Sequence, residues 1–147
     1  MIPLHEAQEA VLAGCKPLTP VQVAYSEMTG RVLAQDVVAT EDVPPFSNTA
    51  VDGYAVRASD TEQTPVELVV VDTLAAGAEP KIAVNAGEAI RIMTGAPMPA
   101  GADAVVMVED TQRVGETHVR ISRSAKVHDG VRDAGSDVRA GETLFVP

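Results

Sequence analysis

A mainly β chain with a few short helices is what this sequence predicts, and three observations carry the prediction. Of its 147 residues 46% are hydrophobic but only 3% aromatic, with no Trp. The core must therefore come from Val, Ala, Ile and Leu, which suits strands better than a helical bundle. Short β-branched runs recur, each ended by Gly or Pro, as in a small mixed or barrel-like β unit. Helical periodicity marks Leu4 to Ala13, at the N-terminal end.

In that helix Leu4, Ala7, Val11 and Leu12 share one face, Pro3 occupies the permitted first turn and Gly14 is a stop. The face is expected to pack on the body or on a partner chain; His5, on the polar side, has no companion at metal-ligand spacing. Pro17 and Pro20 prevent continuation, and Val21, Val23 and Tyr25 alternate as a short strand would. Ser26 to Gly30 reads as one capped helical turn closed by glycine, and Arg31 to Val38 as a strand. Ala58 to Pro65 is polar and loop-like. Val66 to Leu74 is an apolar β-branched run whose Val69-Val70-Val71 predicts a strand covered on both faces. Beyond the turn-rich Ala75 to Pro80, further short strands are expected at Ile82 and Val84 and at Ala89 to Met93, separated by Asn85-Ala86-Gly87. Ala104 to Val108 predicts a buried strand ended by Glu109 and Asp110, and His118 to Ile121 another strand. Thr143 to Val146 begins a strand that stops in mid-course at Pro147, as a piece of a longer chain would.

A formal charge of −10 argues against a nucleic-acid surface, which needs clustered Lys and Arg. It also repels other anions, although exposed charges beyond ~8 Å are largely screened. An anion site would need local help from backbone N–H groups, from Arg57 or Arg91, from a bound Mg²⁺, or from a basic surface of another subunit. Arg123, Lys126 and His128 read as a solvated face. Asp129, Asp133 and Asp137 recur every fourth residue, but Gly130 and Gly135 oppose a helix there and no calcium-loop pattern is present. Cys15 is the only cysteine, which excludes an intrachain disulfide and a cysteine zinc site and fits a reducing compartment. MIPLHEAQEA lacks the basic start and apolar run of a signal peptide, and no apolar run is long enough to span a bilayer, so a soluble cytoplasmic protein is expected.

Two stretches stand out for chemistry. In Pro44 to Arg57, PPFSNTAVDGYAVR, the two prolines restrict the approach and the polar Ser47-Asn48-Thr49 needs turns. Asp52-Gly53 then lies between Ala50-Val51 and Tyr54-Ala55-Val56, as in a two-residue hairpin whose Gly takes positive φ. In the second, the strand ending Arg91-Ile92-Met93 gives way to Thr94-Gly95-Ala96-Pro97. Thr94 offers a hydroxyl and Gly95 allows close backbone approach to a ligand. Judged by spacing alone, both are ordinary structural turns. Gly101 is followed by Ala102, so this is no nucleotide P-loop.

PPF, the following Asn48 and DGYAVRASD, together with RIMTGAPMPAGADAVVMVEDT from Arg91 to Thr111, resemble the signatures of the molybdopterin molybdenumtransferases, the MoeA proteins and the E domain of gephyrin. The resemblance covers only the N-terminal part of such proteins; the C-terminal domain with its glycine-pair loop lies outside it, and this chain has no Gly-Gly. It implies a scaffold of helix plus strands, residues 1–44 and 134–147, interrupted by an inserted barrel-like β domain, residues 45–133, that bears the active-site loops. The implied reaction places molybdate on the dithiolene of adenylylated molybdopterin with Mg²⁺-dependent release of the nucleotide, in a cleft between two subunits of a homodimer. Asp52 and Thr94 match positions facing that cleft and are the catalytic candidates, with Asp52 also a Mg²⁺ ligand. Gly95, Arg57 and Asp137 are the substrate-binding candidates, Asp137 because GSDVRAGE places it where the family has a recurring acid. Val51 stands where the family more usually has Met, and Thr49 where it has Ser. On this reading the chain alone is inactive; the alternative is a non-catalytic oligomerisation or binding module with the same fold.

Overall fold

Most of the strand residues lie in one curled, half-barrel sheet. The computed structural model describes residues 2–147. Strands β3 (Gly53–Val56), β4 (Val66–Leu74), β5 (Glu88–Ile92), β6 (Ala104–Met107), β7 (Thr111–Val114) and β8 (His118–Ile121) are ordered β6-β3-β5-β4-β8-β7. All neighbours are antiparallel except β4 and β5, whose parallel pairing needs the long connection through residues 75–87. Side chains alternate across the sheet, and that divides the core into two clusters. Tyr54, Val56, Leu68, Val106, Val119 and Ile121 pack on one face; Ala55, Ile90, Ile92 and Val105 pack on the other with Leu74, Val84 and Ala96.

Two pairs of short strands form separate two-stranded sheets. β1 (Val37–Val38) pairs with β10 (Thr143–Phe145), and β2 (Asn48–Thr49) pairs with β9 (Val131–Arg132). Between them the two chain segments run antiparallel, with Val43 opposite Val138 and Ala39 N–H donating to Glu142 O at 2.8 Å.

The chain divides into two compact units, residues 38–144 and the remainder up to Val37 with Phe145–Pro147. The smaller unit holds α1 (Leu4–Ala13), with the bounds its periodicity predicts. None of its residues is buried. The expected strand at Val21, Val23 and Tyr25 is absent; alternation there has no ladder partner, and Tyr25–Glu27 is instead a 3-10 turn. Of Arg31 to Val38 only β1 is a strand.

Four details of the larger unit depart from expectation. β4 has the predicted bounds, yet Val69 is 41% exposed and only Leu68 and Leu74 are buried, so its second face is only partly covered. Ile82 and Val84 form no strand; Val84 is buried and held by one backbone bond to Ala100. The predicted strand through Val108 stops at Met107, where the 3-10 turn Val108–Asp110 begins. β7 is unexpected, because TQRV is an edge strand paired only with β8 and carries no run of apolar residues. Among the described residues no helix is long and apolar enough to cross a membrane.

Candidate functional site

The loop before β3 is shaped by a buried threonine. Thr49 Oγ1 accepts from Val51 N–H at 3.2 Å and donates to Val51 O at 2.6 Å, which folds the polar run into a local turn. The backbone of Thr49 then captures the second loop, donating to Ala96 O at 3.0 Å and accepting from Gly95 N–H at 2.9 Å. Two loops remote in sequence are thereby lashed together at their bases.

Asp52-Gly53 is not a hairpin turn. β3 pairs with β5 and β6 rather than with β2, and Gly53 does not have positive φ. Glycine is needed for closeness: a Cβ at Gly53 would lie 2.1 Å from Val106 O. Positive φ belongs to Gly95, at +83°.

At the tips the two catalytic candidates touch. Asp52 Oδ1 accepts from Thr94 N–H at 2.7 Å and from Thr94 Oγ1 at 2.8 Å, and both residues are exposed. The Thr94 N–H first and its hydroxyl second hold the Asp52 carboxyl below the ordinary 3.8; desolvation opposes them, and the Arg91 charge adds the smallest lowering effect. Asp52 is therefore ionised at neutral pH, with Oδ2 outside the Thr94 bonds. The donors around it are already committed: Thr94 N–H and hydroxyl to Asp52, Gly95 N–H to Thr49 O, Ala96 N–H to Met93 O. An ionised oxygen and hydroxyl lone pairs suit a cation or a proton donor better than an oxyanion.

The other candidates lie apart from this pair. Arg57 follows β3 where Asp52 precedes it, and five extended residues put about 16 Å between them. Asp137 is exposed and bonded to the Arg132 side chain; it shares the β2–β9 region with the loop base but bonds neither Asp52 nor Thr94. Gly95 adjoins Thr94, its N–H spent on Thr49. Glu109 and Asp110 lie in the 3-10 turn after β6, with Asp110 3.5 Å from Arg123.

Arg91 is the arginine nearest the pair in electrostatic effect, and its cross-strand partner is Tyr54. Residue types alone did not single it out over Arg57; strand register does. Two clefts flank the loops, one of about 260 Å³ reaching Val51 and one of about 360 Å³ reaching Tyr54 and Arg91. Asp52 and Thr94 line neither, so the pair stands on an open wall. Among the described residues no group of three or more His, Cys, Asp or Glu could hold a metal ion.

Over 99% of its length the chain matches the crystal structure of the molybdopterin biosynthesis moeA protein from Pyrococcus horikoshii OT3, with TM-score 0.91 and 37% identity over 40% of that chain. The class is thus the N-terminal part of a molybdopterin-biosynthesis protein fold. More narrowly, the chain belongs to the family of the MoeA N-terminal region (domain I and II), matched over residues 2–147. It is 40% identical over 97% of its length to molybdopterin molybdenumtransferase 2 of Mycobacterium tuberculosis, and 37% identical over 98% to the molybdopterin molybdenumtransferase of Bacillus subtilis. It spans only 36% and 35% of those two proteins.

Proposed function

We propose that the chain supplies the N-terminal scaffold and inserted domain of a molybdopterin molybdenumtransferase, a cytoplasmic homodimer that inserts molybdate into adenylylated molybdopterin. Residues 1–44 and 134–147 are the scaffold and 45–133 the insert; the antiparallel run in which Val43 faces Val138 brings the outgoing and returning segments together, while the compact units divide further out, at Val37 and Phe145. The observation that carries the function is the bonded Asp52–Thr94 pair, exposed on two loops within the region that matches the family.

In this reading Asp52 accepts a proton or a cation at Oδ2, and Thr94 holds the carboxylate in place with two hydrogen bonds. The donor set fits Mg²⁺ in part: that ion binds through one or two carboxylates together with water and substrate phosphates, and Asp52 offers one free carboxylate oxygen. When bound, Mg²⁺ would neutralise phosphate charge beside an otherwise acidic chain. The open wall is completed by the cofactor-binding domain of the other subunit, which supplies the basic groups for molybdate and the pterin phosphate. Asp137, Gly95 and Arg57 contribute to the rim.

The test joins the chain to the remaining two-thirds of such a protein and assays molybdate insertion. Activity in the joined protein and none in the isolated chain is expected; insertion by the chain alone, or none after joining, would overturn the proposal. A second reading, a non-catalytic oligomerisation module, is favoured by the apolar side chains that α1 leaves exposed. Light scattering discriminates one element common to both, since a monomer at high concentration counts against any dimer.

A further inference from the structure

We propose that Arg91 is a positioning residue for the Asp52–Thr94 pair, tying the backbone that follows Asp52 to the strand that precedes Thr94. Three contacts define the tie. Arg91 sits on β5, three residues before Thr94, and its register partner on β3 is Tyr54, two residues after Asp52. Its Nη1 donates to Gly53 O at 2.8 Å. Its guanidinium lies over the Tyr54 ring, 5.1 Å from the centroid, and Tyr54 is buried in the core.

Gly53 is thus gripped from two sides: the β6 backbone approaches so closely that no Cβ fits, and the Arg91 fork holds its carbonyl. A planar guanidinium can stack on a ring and donate in its own plane at once; an ammonium is a point charge and cannot hold both contacts with the same geometry. The position therefore calls for Arg in particular. With Gly53 fixed to β5, the Asp52 carboxylate meets Thr94 at one separation. The groups around Asp52 are Thr94 and Arg91 on the β5 side and, from the 3-10 turn bonded through Val108 N–H to Asp52 O, the acids Glu109 and Asp110, the latter turned to Arg123. Arg113 lines the same cleft as Arg91, donates to Glu116 O, and serves as the control.

The role assigned to Arg91 rests on Asp52–Thr94 being the functional pair, but its test needs no activity. In the isolated chain, the Thr94 amide is followed by NMR at neutral pH. Arg91→Gln is expected to shift the Thr94 amide and to speed its hydrogen exchange at least threefold. Arg91→Lys is expected to show the same loss of the wild-type amide signature. Arg113→Gln should change neither shift nor exchange. If Arg91→Gln fails to fold, Arg91→Lys decides by the same amide signature. A wild-type amide shift and exchange rate in Arg91→Lys and Arg91→Gln, with only a lowered Tm, would overturn the proposal, as would an equal effect from Arg113→Gln. Loss of molybdate-insertion chemistry from Asp52 would sink the function and leave this tie intact.

Discussion

Residues up to Val37 and residues 38–144 put similar apolar side chains to opposite uses. In α1, Leu4, Val11 and Leu12 remain between 67% and 75% exposed, whereas Leu68, Ile90 and Ile92 in the sheet are at most 1% exposed. Periodicity marks an apolar face; it does not say what covers it. The sheet closes two clusters of its own, built from residues of the larger unit.

The largest expected effects break this contrast if it is wrong. Ile92→Ala should destabilise the single chain by about 2–5 kcal/mol, and Gly53→Ala by at least about 3 kcal/mol because its Cβ would overlap Val106 O, while Leu12→Ala should stay within about 0.5 kcal/mol. Urea denaturation measures all three, and a Leu12→Ala loss as large as that of Ile92→Ala would erase the distinction. Next in size is a pair of threonines. Thr49→Ala removes a buried hydroxyl with two partners at the loop base and should lose about 1–3 kcal/mol; Thr94→Ala, exposed at the tip, should lose less in stability and far more in function.

A smaller effect concerns pH. Because folding lowers the Asp52 carboxyl, its contribution is present above the ordinary 3.8 and disappears as the pH falls through the lowered value. Asp52→Asn should therefore lower stability at neutral pH and flatten the acid limb of the profile, the variant and wild-type curves converging at low pH; an unchanged acid limb would count against the Thr94 bonds. Smallest is Glu67→Ala. Its exposed pair with Arg120 across β4 and β8 should contribute under about 1 kcal/mol, and less at high salt.

The same contrast explains what could be read from residues alone. α1 and β4 were legible to their end residues, because one has clear 3.6-residue periodicity and the other an uninterrupted β-branched run. β7 was not, since an edge strand reading TQRV has no apolar signal. Asp52-Gly53 was misread because the same dipeptide serves a positive-φ turn or a tight strand crossing, and only the β6 register distinguishes them. Asp52 and Thr94 were picked out by resemblance; their contact, 42 residues apart in sequence, follows from the antiparallel β3–β5 pairing that sets Gly53 opposite Ile92. Arg91 became visible as Tyr54's partner by the same register.

The most direct test of the pair is a double-mutant cycle for molybdate insertion in the joined, full-length protein, using Asp52→Asn, Thr94→Ala and both together. If the two side chains act as one bonded unit, each single substitution should slow insertion by about 10²-fold or more, and the double should be little slower than the worse single. Unchanged rates in the singles, or losses that simply multiply in the double, would contradict it.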